Sequence, residues 1–416
     1  MALMMVRTFI MAGLLGVRSF ADFSGAILVS SSFSMLGCLG LQLTLQREWP
    51  ANIWRGQELR GLVRAAQCNL VTCVCAVTLT TAVLCGASFR AFSPVLLVAG
   101  ILHGCAQQVF AIATVESRSR GNALRYSLQN LLRALALVTA GSGVALWTGS
   151  AIEIVVAESL LTLVMSVALL QRSATYTRLN ARQLHCLAVR MIPRAPWRAA
   201  MMLLAITGLA FFLVNVDRWV AAAALSTSEF AAYSFAWTVP MLAQSAQQIL
   251  NTSIFPTMAR RFASGEARAA FRLCNTSSLL VLIGGAICSM PAFVVLRHCV
   301  YAWYPKYATA VVIIPIFMTV AVLRVSEFWT SFLIAVNRER LLMFANIGVG
   351  IAGLALWGLW IHAGTARGLR VPDVAVLALI LSAMNYMTTM GCAWKARRDQ
   401  LVLAGEVGLP RDPPVS

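Results

Sequence analysis

Charge is what this sequence has least of. Only 12% of its 416 residues are charged, about half the share of an ordinary soluble domain. Acids are scarcer still, with 15 Asp and Glu against 33 Lys and Arg. No polar stretch is long enough to fold as a separate soluble domain. Histidine is rare, at 4 residues. Cys73 and Cys75 form CxC and His185 sits beside Cys186, but no second Cys/His pair stands at metal-ligand spacing. The 11 cysteines lie mostly in apolar runs and read as small helix-packing residues. Neither a metal nor a cofactor is expected. A net charge of +18 would suggest nucleic acid in a soluble protein. Here the arginines fall in alternate loops, so the charge reads as topology, and no nucleic-acid partner is expected.

Hydrophobic residues make up 59% of the chain and mean hydropathy is +0.77. Apolar stretches recur at 1–17, 23–45, 66–88, 92–115, 126–148, 151–170, 199–225, 229–254, 275–296, 307–335, 341–363 and 371–393. Runs of about twenty residues cross a hydrocarbon core of about 30 Å as helices. They are too long and unalternating for barrel strands. The fold class is therefore all-α integral membrane, with about twelve transmembrane helices.

The loops after helices 2, 4, 6, 8 and 10, with the C-terminal tail, hold 23 of the basic residues. The opposite loops hold 6, and 4 lie inside the spans: Arg7, Arg133, Arg218 and Arg324. This bias puts both termini in the cytoplasm. Reporter fusions after residues 90, 225 and 365 should read external, and those after 185 and 265 internal. A consistent reversal overturns the layout.

The longest and most basic connection, 171–198, separates a first six-helix group (1–170) from a second (199–394) and a tail (395–416). Ser19-Phe-Ala-Asp22 before helix 2 and Ser226-Thr-Ser-Glu229 before helix 8 are both capping boxes, 207 residues apart. They suggest duplication, as transporters often show. Shifted by the same offset, helix 1 is shortened, so an upstream start codon is expected, with a truly short first helix as the alternative. Arg7 inside the first run, and the lack of a positive cluster before it, argue against a signal peptide.

A charge near the bilayer centre costs about 2.5–3.5 kcal/mol on insertion scales. Arg324 and Glu327 stand i, i+3 in helix 10 with Ser331 beyond, as either a wet face or a structural ion pair. Arg133 either lines a cavity or snorkels. Asn215 and Arg218 share a face of helix 7, with Asp217 pointing elsewhere. Glu158 is a lone acid without a partner visible in sequence. Gln244, Gln247, Gln248 and Asn251 form an amide stripe on helix 8, continued by Met241 and Trp237. The stripe suits either interhelical hydrogen bonds or a sugar-binding wall. His103 and Gln107 form a smaller polar patch. Pro240, Pro291 and Pro315 permit bends, and 256–272 reads as an amphipathic surface segment.

The order of several motifs carries a resemblance. Asp217-Arg218 comes late in helix 7, then Glu229-Phe230 with Tyr233, and Phe255-Pro256 followed by Arg260 and Arg261. Arg324 and the turn Asn337-Arg338 come later, and the first half adds ADFSGAIL at 21–28 and LLRALALV at 131–138. This resembles the polysaccharide biosynthesis and O-antigen flippase family of the multidrug/oligosaccharidyl-lipid/polysaccharide exporter superfamily. The short first helix departs from that pattern. The resemblance implies two pseudo-symmetric six-helix bundles around a central cavity, and alternating access in a bacterial inner membrane. It implies an oligosaccharide on a polyprenyl diphosphate as substrate, with no catalysis. Possible partners are a polysaccharide polymerase or glycosyltransferases, and transport would be coupled to an ion gradient or the membrane potential. Cavity candidates are Arg133, Asp217, Arg218, Gln244, Gln248, Asn251, Arg324 and Glu327. A drug/cation antiporter or lipid II flippase of the same superfamily is the near alternative, and a scaffolding membrane subunit the distant one. A membrane glycosyltransferase would present acidic residues in a large external loop, and no external loop here exceeds roughly a dozen residues.

Overall fold

The computed structural model describes residues 2–87, 91–175, 181–364 and 369–406, and every regular element among them is a helix. Arg90, Arg178, Arg367 and the tail from 407 onward, Arg411 included, lie outside the described residues. The helices are α1 (Ala2–Leu14), α2 (Val17–Leu36), α3 (Leu41–Trp54), α4 (Glu58–Leu84), α5 (Pro94–Ser119), α6 (Ala123–Thr148), α7 (Ala151–Thr175), α8 (Ala181–Met191) and α9 (Trp197–Ala224). They continue with α10 (Thr227–Ala236), α11 (Thr238–Ala263), α12 (Ala267–Trp303), α13 (Ile314–Val325), α14 (Trp329–Ala335), α15 (Glu339–Gly364) and α16 (Val371–Glu406). The chain divides into two compact units. One comprises Leu3–Phe211 with Ala222–Ala231, and the other Phe212–Ala221 with Ala232–Ser416.

Among the described residues nine helices are long and apolar enough to cross a membrane, or ten if the bent pair α2–α3 is one span. The sequence led us to expect twelve. The first and eighth expected spans make the difference. With 13 residues, α1 reaches only about 20 Å at 1.5 Å per residue. The eighth is split into α10 and α11, and the amides of α11 dilute its apolar character. Pro240 accounts for the split, since it has no N–H for the carbonyl of Ala236 one turn back.

Other details also depart from expectation. The second span begins at Val17 with Gly16 at its N-cap, so Ser19 lies inside the helix and caps nothing. The Ser226 box does form: Ser226 N–H donates to Glu229 Oε2 at 3.0 Å, and Glu229 N–H to Ser226 Oγ at 3.4 Å. With one box real and the other not, that pair no longer argues for duplication. The second span also breaks between α2 and α3, where Leu39 and Gly40 take positive φ and the axis turns by 55°. Segment 256–272 is no separate surface helix; it is the end of α11, a turn at Gly265 and the start of α12. Of the expected bending prolines, Pro240 and Pro315 stand at helix starts, and only Pro291 lies deep inside a helix.

In the first unit α5 is the central helix, buried along most of its length and packed on α2, α4 and α7. Small residues permit this. Gly100 and Gly104, one turn apart, let the backbone of α2 approach: a Cβ at Gly104 would stand 2.6 Å from the Ser30 carbonyl oxygen. Gly104→Leu should therefore push α2 from α5, costing about 1–3 kcal/mol as overpacking. A melting series in detergent checks this, and an unchanged midpoint would refute the close approach. In the second unit the α13–α14 span is likewise buried, with Phe317, Phe328, Trp329 and Phe332 at its core. Trp147, Trp303 and Trp360 are exposed near the C-terminal ends of α6, α12 and α15, away from the arginine-rich loops. Such exposed indoles suit a membrane–water interface.

Candidate functional site

Each unit holds a buried polar centre built around arginines that the sequence placed inside spans. In the first unit the centre joins α1, α2, α5, α6 and α7. Arg7 Nη1 donates to Glu158 Oε2 at 2.9 Å, and both side chains are buried. Glu158 is thus no lone acid, as its sequence neighbourhood suggested; its partner lies 151 residues away. His103 Nε2 stands 3.5 Å from the same carboxylate oxygen, and its Nδ1 is 2.8 Å from Ser30 Oγ. That last contact exists because the glycines of α5 admit α2. Gln107 Nε2 lies 3.4 Å from His103 Nε2, and Gln107 Oε1 accepts from Arg133 Nη2. The Arg133 guanidinium lies over the Phe110 ring at 4.5 Å. Arg133 therefore turns into the unit rather than snorkelling. The centre holds two guanidiniums and one carboxylate. Arg7 and Ser30 were absent from the sequence-derived candidates, and His103 stood there only in a smaller polar patch with Gln107. The available signal was electrostatic: Arg7 and Glu158 were both unmatched charges in the same half.

The second centre forms where α9 meets α10 and α11. Asp217 is fully buried, and its Oδ2 accepts from Tyr233 Oη at 2.6 Å and Trp237 Nε1 at 3.2 Å. Arg218 lies over the ring of that same Trp237, at 4.2 Å. Helical spacing alone puts Asp217 and Arg218 on different faces; the indole at the α10–α11 junction reaches both. Tyr233 packs edge-on against Phe317.

Arg324 belongs to this second centre, and of its two alternatives the ion pair with Glu327 is not among the contacts of the described residues. Its Nε donates to Ser382 Oγ at 3.0 Å and its Nη2 to the Val214 carbonyl at 3.3 Å. The carboxylate whose field it feels is Asp217. The helix stops between the two residues, because α13 ends at Val325 and α14 starts at Trp329. Ser326 Oγ bonds back to the Val322 carbonyl at 2.8 Å, a contact that competes with helix continuation. Glu327 Oε1 then serves the next helix, accepting from Thr330 N–H at 2.8 Å and Thr330 Oγ1 at 2.9 Å. The carbonyls freed by the break are taken up from neighbouring helices: Ser278 Oγ donates to Ser326 O at 2.7 Å and Gln247 Nε2 to Glu327 O at 2.6 Å.

The amide stripe of α11 is correspondingly divided. Gln247 holds the break, and Asn251 Oδ1 accepts from Ser331 Oγ at 2.9 Å. Gln244 is half-buried and Gln248 exposed. Interhelical bonding accounts for Gln247 and Asn251 and leaves Gln244 and Gln248 outside that network. Among the described residues no group of three or more His, Cys, Asp or Glu is placed to hold a metal ion.

All-helical units with this many long apolar helices define a multi-pass membrane protein, and comparison with solved structures identifies the fold. A multidrug resistance MATE family transporter of the MOP superfamily, inward-facing, superposes with a TM-score of 0.63 at 14% identity, covering 95% of each chain. An outward-facing MATE transporter gives 0.59 at 14% identity, over 97% of this chain and 93% of that one. A MOP superfamily transporter from Pyrococcus furiosus gives 0.55 at 14% identity, over 95% and 93%. The fold is that of the MATE transporters, a fold of twelve transmembrane helices in two bundles, of which nine or ten membrane-length spans are found among the described residues here. No family model matches the sequence, and none of the curated proteins compared with it does.

Proposed function

We propose that this protein moves a polyprenyl-diphosphate-linked oligosaccharide across a bacterial inner membrane by alternating access, with both termini in the cytoplasm and no chemical step of its own. One observation carries the reading: guanidinium outnumbers carboxylate in both polar centres, Arg7 and Arg133 against Glu158, and Arg218 and Arg324 against Asp217. A site for cationic drugs wants the opposite excess. A diphosphate matches the paired donors of guanidinium. The matched transporters include inward-facing and outward-facing forms. For the Pyrococcus furiosus protein, reversed polarity of the binding pocket is what suggests a different function; the sign of charge is our criterion here too.

In this reading each centre meets diphosphate within its own unit, through Arg133 in the first and through Arg218 and Arg324, with Asp217 beside them, in the second. Gln244 and Gln248 face sugar hydroxyls. Asn251, bonded to Ser331, and Glu327, bonded to Thr330, stand at the broken helix as further candidate contacts. Transport would draw on an ion gradient or the membrane potential, and a polysaccharide polymerase or glycosyltransferases would work beside it.

Reconstitution tests this. Proteoliposomes containing the full chain should speed transbilayer movement of a fluorescent polyprenyl-diphosphate oligosaccharide and leave ethidium untouched. Ethidium efflux without lipid movement would establish the antiporter instead.

A further inference from the structure

We infer that the arginine-rich end of the first unit is a binding surface for anionic phospholipid headgroups, built by α3, the start of α4, α8 and the short 3-10 turn Ile192–Arg194 that follows it. The four pieces share one small core. Leu41, Leu45 and Trp49 of α3 pack with Leu62 and Ala65 of α4 and with Ala195, and Leu184 of α8 and Trp197 lean against them. Gln67 of α4 donates to the Ala188 carbonyl at 3.3 Å, which fixes α8 to this end of the unit.

Around that core lie Arg47, Arg55, Arg60, Arg182, Arg190, Arg194 and Arg198, all exposed. The nearby acids are already engaged: Glu58 accepts from Arg120 at 2.9 Å and Glu48 faces Arg64 at 3.8 Å. The seven exposed guanidiniums thus keep a net positive field at one end of the membrane helices. Apolar side chains stand among them. Trp54 is 88% exposed, Val189 47% and Leu59 44%. A purely aqueous surface has little use for that mixture. A headgroup layer accommodates both parts, with acyl chains against Trp54, Val189 and Leu59 and phosphates against the arginines. An acidic soluble protein would satisfy the charge and leave the apolar residues unexplained.

Each basic residue near an anionic surface contributes about fivefold in partitioning at low salt. Three together predict a difference on the order of 100-fold. The full chain is placed in nanodiscs of phosphatidylcholine containing trace photoactivatable phosphatidylglycerol or photoactivatable phosphatidylcholine, and crosslinks to peptides covering 182–198 and 54–60 are quantified. The anionic phosphatidylglycerol probe should dominate strongly in the parent protein. Arg182→Gln/Arg190→Gln/Arg194→Gln should bring the two lipids close to equal, and the same three sites changed to Lys should retain most of the preference. If the Gln variant does not fold, the parent at 0.5 M salt serves instead, since screening at that strength should collapse the preference. Equal crosslinking by the two lipids in the parent, or a preference untouched by both the Gln changes and salt, overturns the proposal. So does protection of the same peptides by an acidic soluble partner with no lipid preference.

Discussion

Arg324→Ala should insert at near-normal level and lose most transport. Its hydrogen bonds go to Ser382 and to the Val214 carbonyl, so removal strands no directly bonded carboxylate. The depletion expected when a buried pair is broken, about 3–5 kcal/mol, should therefore not appear. Under the proposed function the loss should exceed tenfold in flipping rate, about 1.4 kcal/mol or more. Arg324→Lys should recover little, because one ammonium cannot span a hydroxyl and a carbonyl held by different nitrogens of a planar fork. A double-mutant cycle separates the partners. Residues 324 and 217 should couple by about 1 kcal/mol, within the range for interacting sites. Glu327→Ala should cost about 1 kcal/mol as a lost cap and show no special coupling to position 324. Normal flipping by well-expressed Arg324→Ala would remove this residue from the site. Rescue of Arg324→Ala by Glu327→Ala would instead indicate a direct Arg324–Glu327 ion pair in the parent and overturn the assignment to Ser382 and Val214.

The largest loss of stability is expected at Arg7. Both partners of the Arg7–Glu158 pair are buried, and the bond is 2.9 Å. Arg7→Ala leaves a buried carboxylate that has lost its directly bonded guanidinium, with His103 at 3.5 Å. Breaking such a pair from one side costs about 3–5 kcal/mol, a large fraction of the roughly 5–15 kcal/mol that holds a domain folded. The protein should be strongly depleted from membranes. Arg7→Ala combined with Glu158→Gln should regain much of the level, because no unpaired charge remains. Quantitative blotting of membrane fractions reads this directly. Wild-type abundance of the single variant would mean that the pair contributes nothing to holding α1.

That pair also bears on the short first helix. Met11, Ala12 and Leu15 are fully buried, and Arg7 is bonded to α7. The thirteen described residues of α1 are held by that packing and that charge pair.

Composition and periodicity determined the class of molecule. Scarce charge, recurrent apolar runs and alternating arginines demand helices in a bilayer, because lipid offers backbone groups no alternative partner. They also determined which arginines are anomalous, since an intramembrane guanidinium is conspicuous in any apolar run. Partner choice was decided only by the tertiary structure. Arg324 and Glu327 are neighbours at helical spacing, yet a break at Ser326 parts them. Asp217 and Arg218 point apart on α9, yet Trp237 at the α10–α11 junction touches both. Glu158 finds Arg7 across 151 residues. The reason is physical. Periodicity reports the direction of a side chain about its own axis, while an ion pair depends on which helices lie side by side and where each one stops. Those are set by small-residue contacts such as Gly100 and Gly104 against α2 and by a proline such as Pro240, which act through neighbours that the local sequence does not contain.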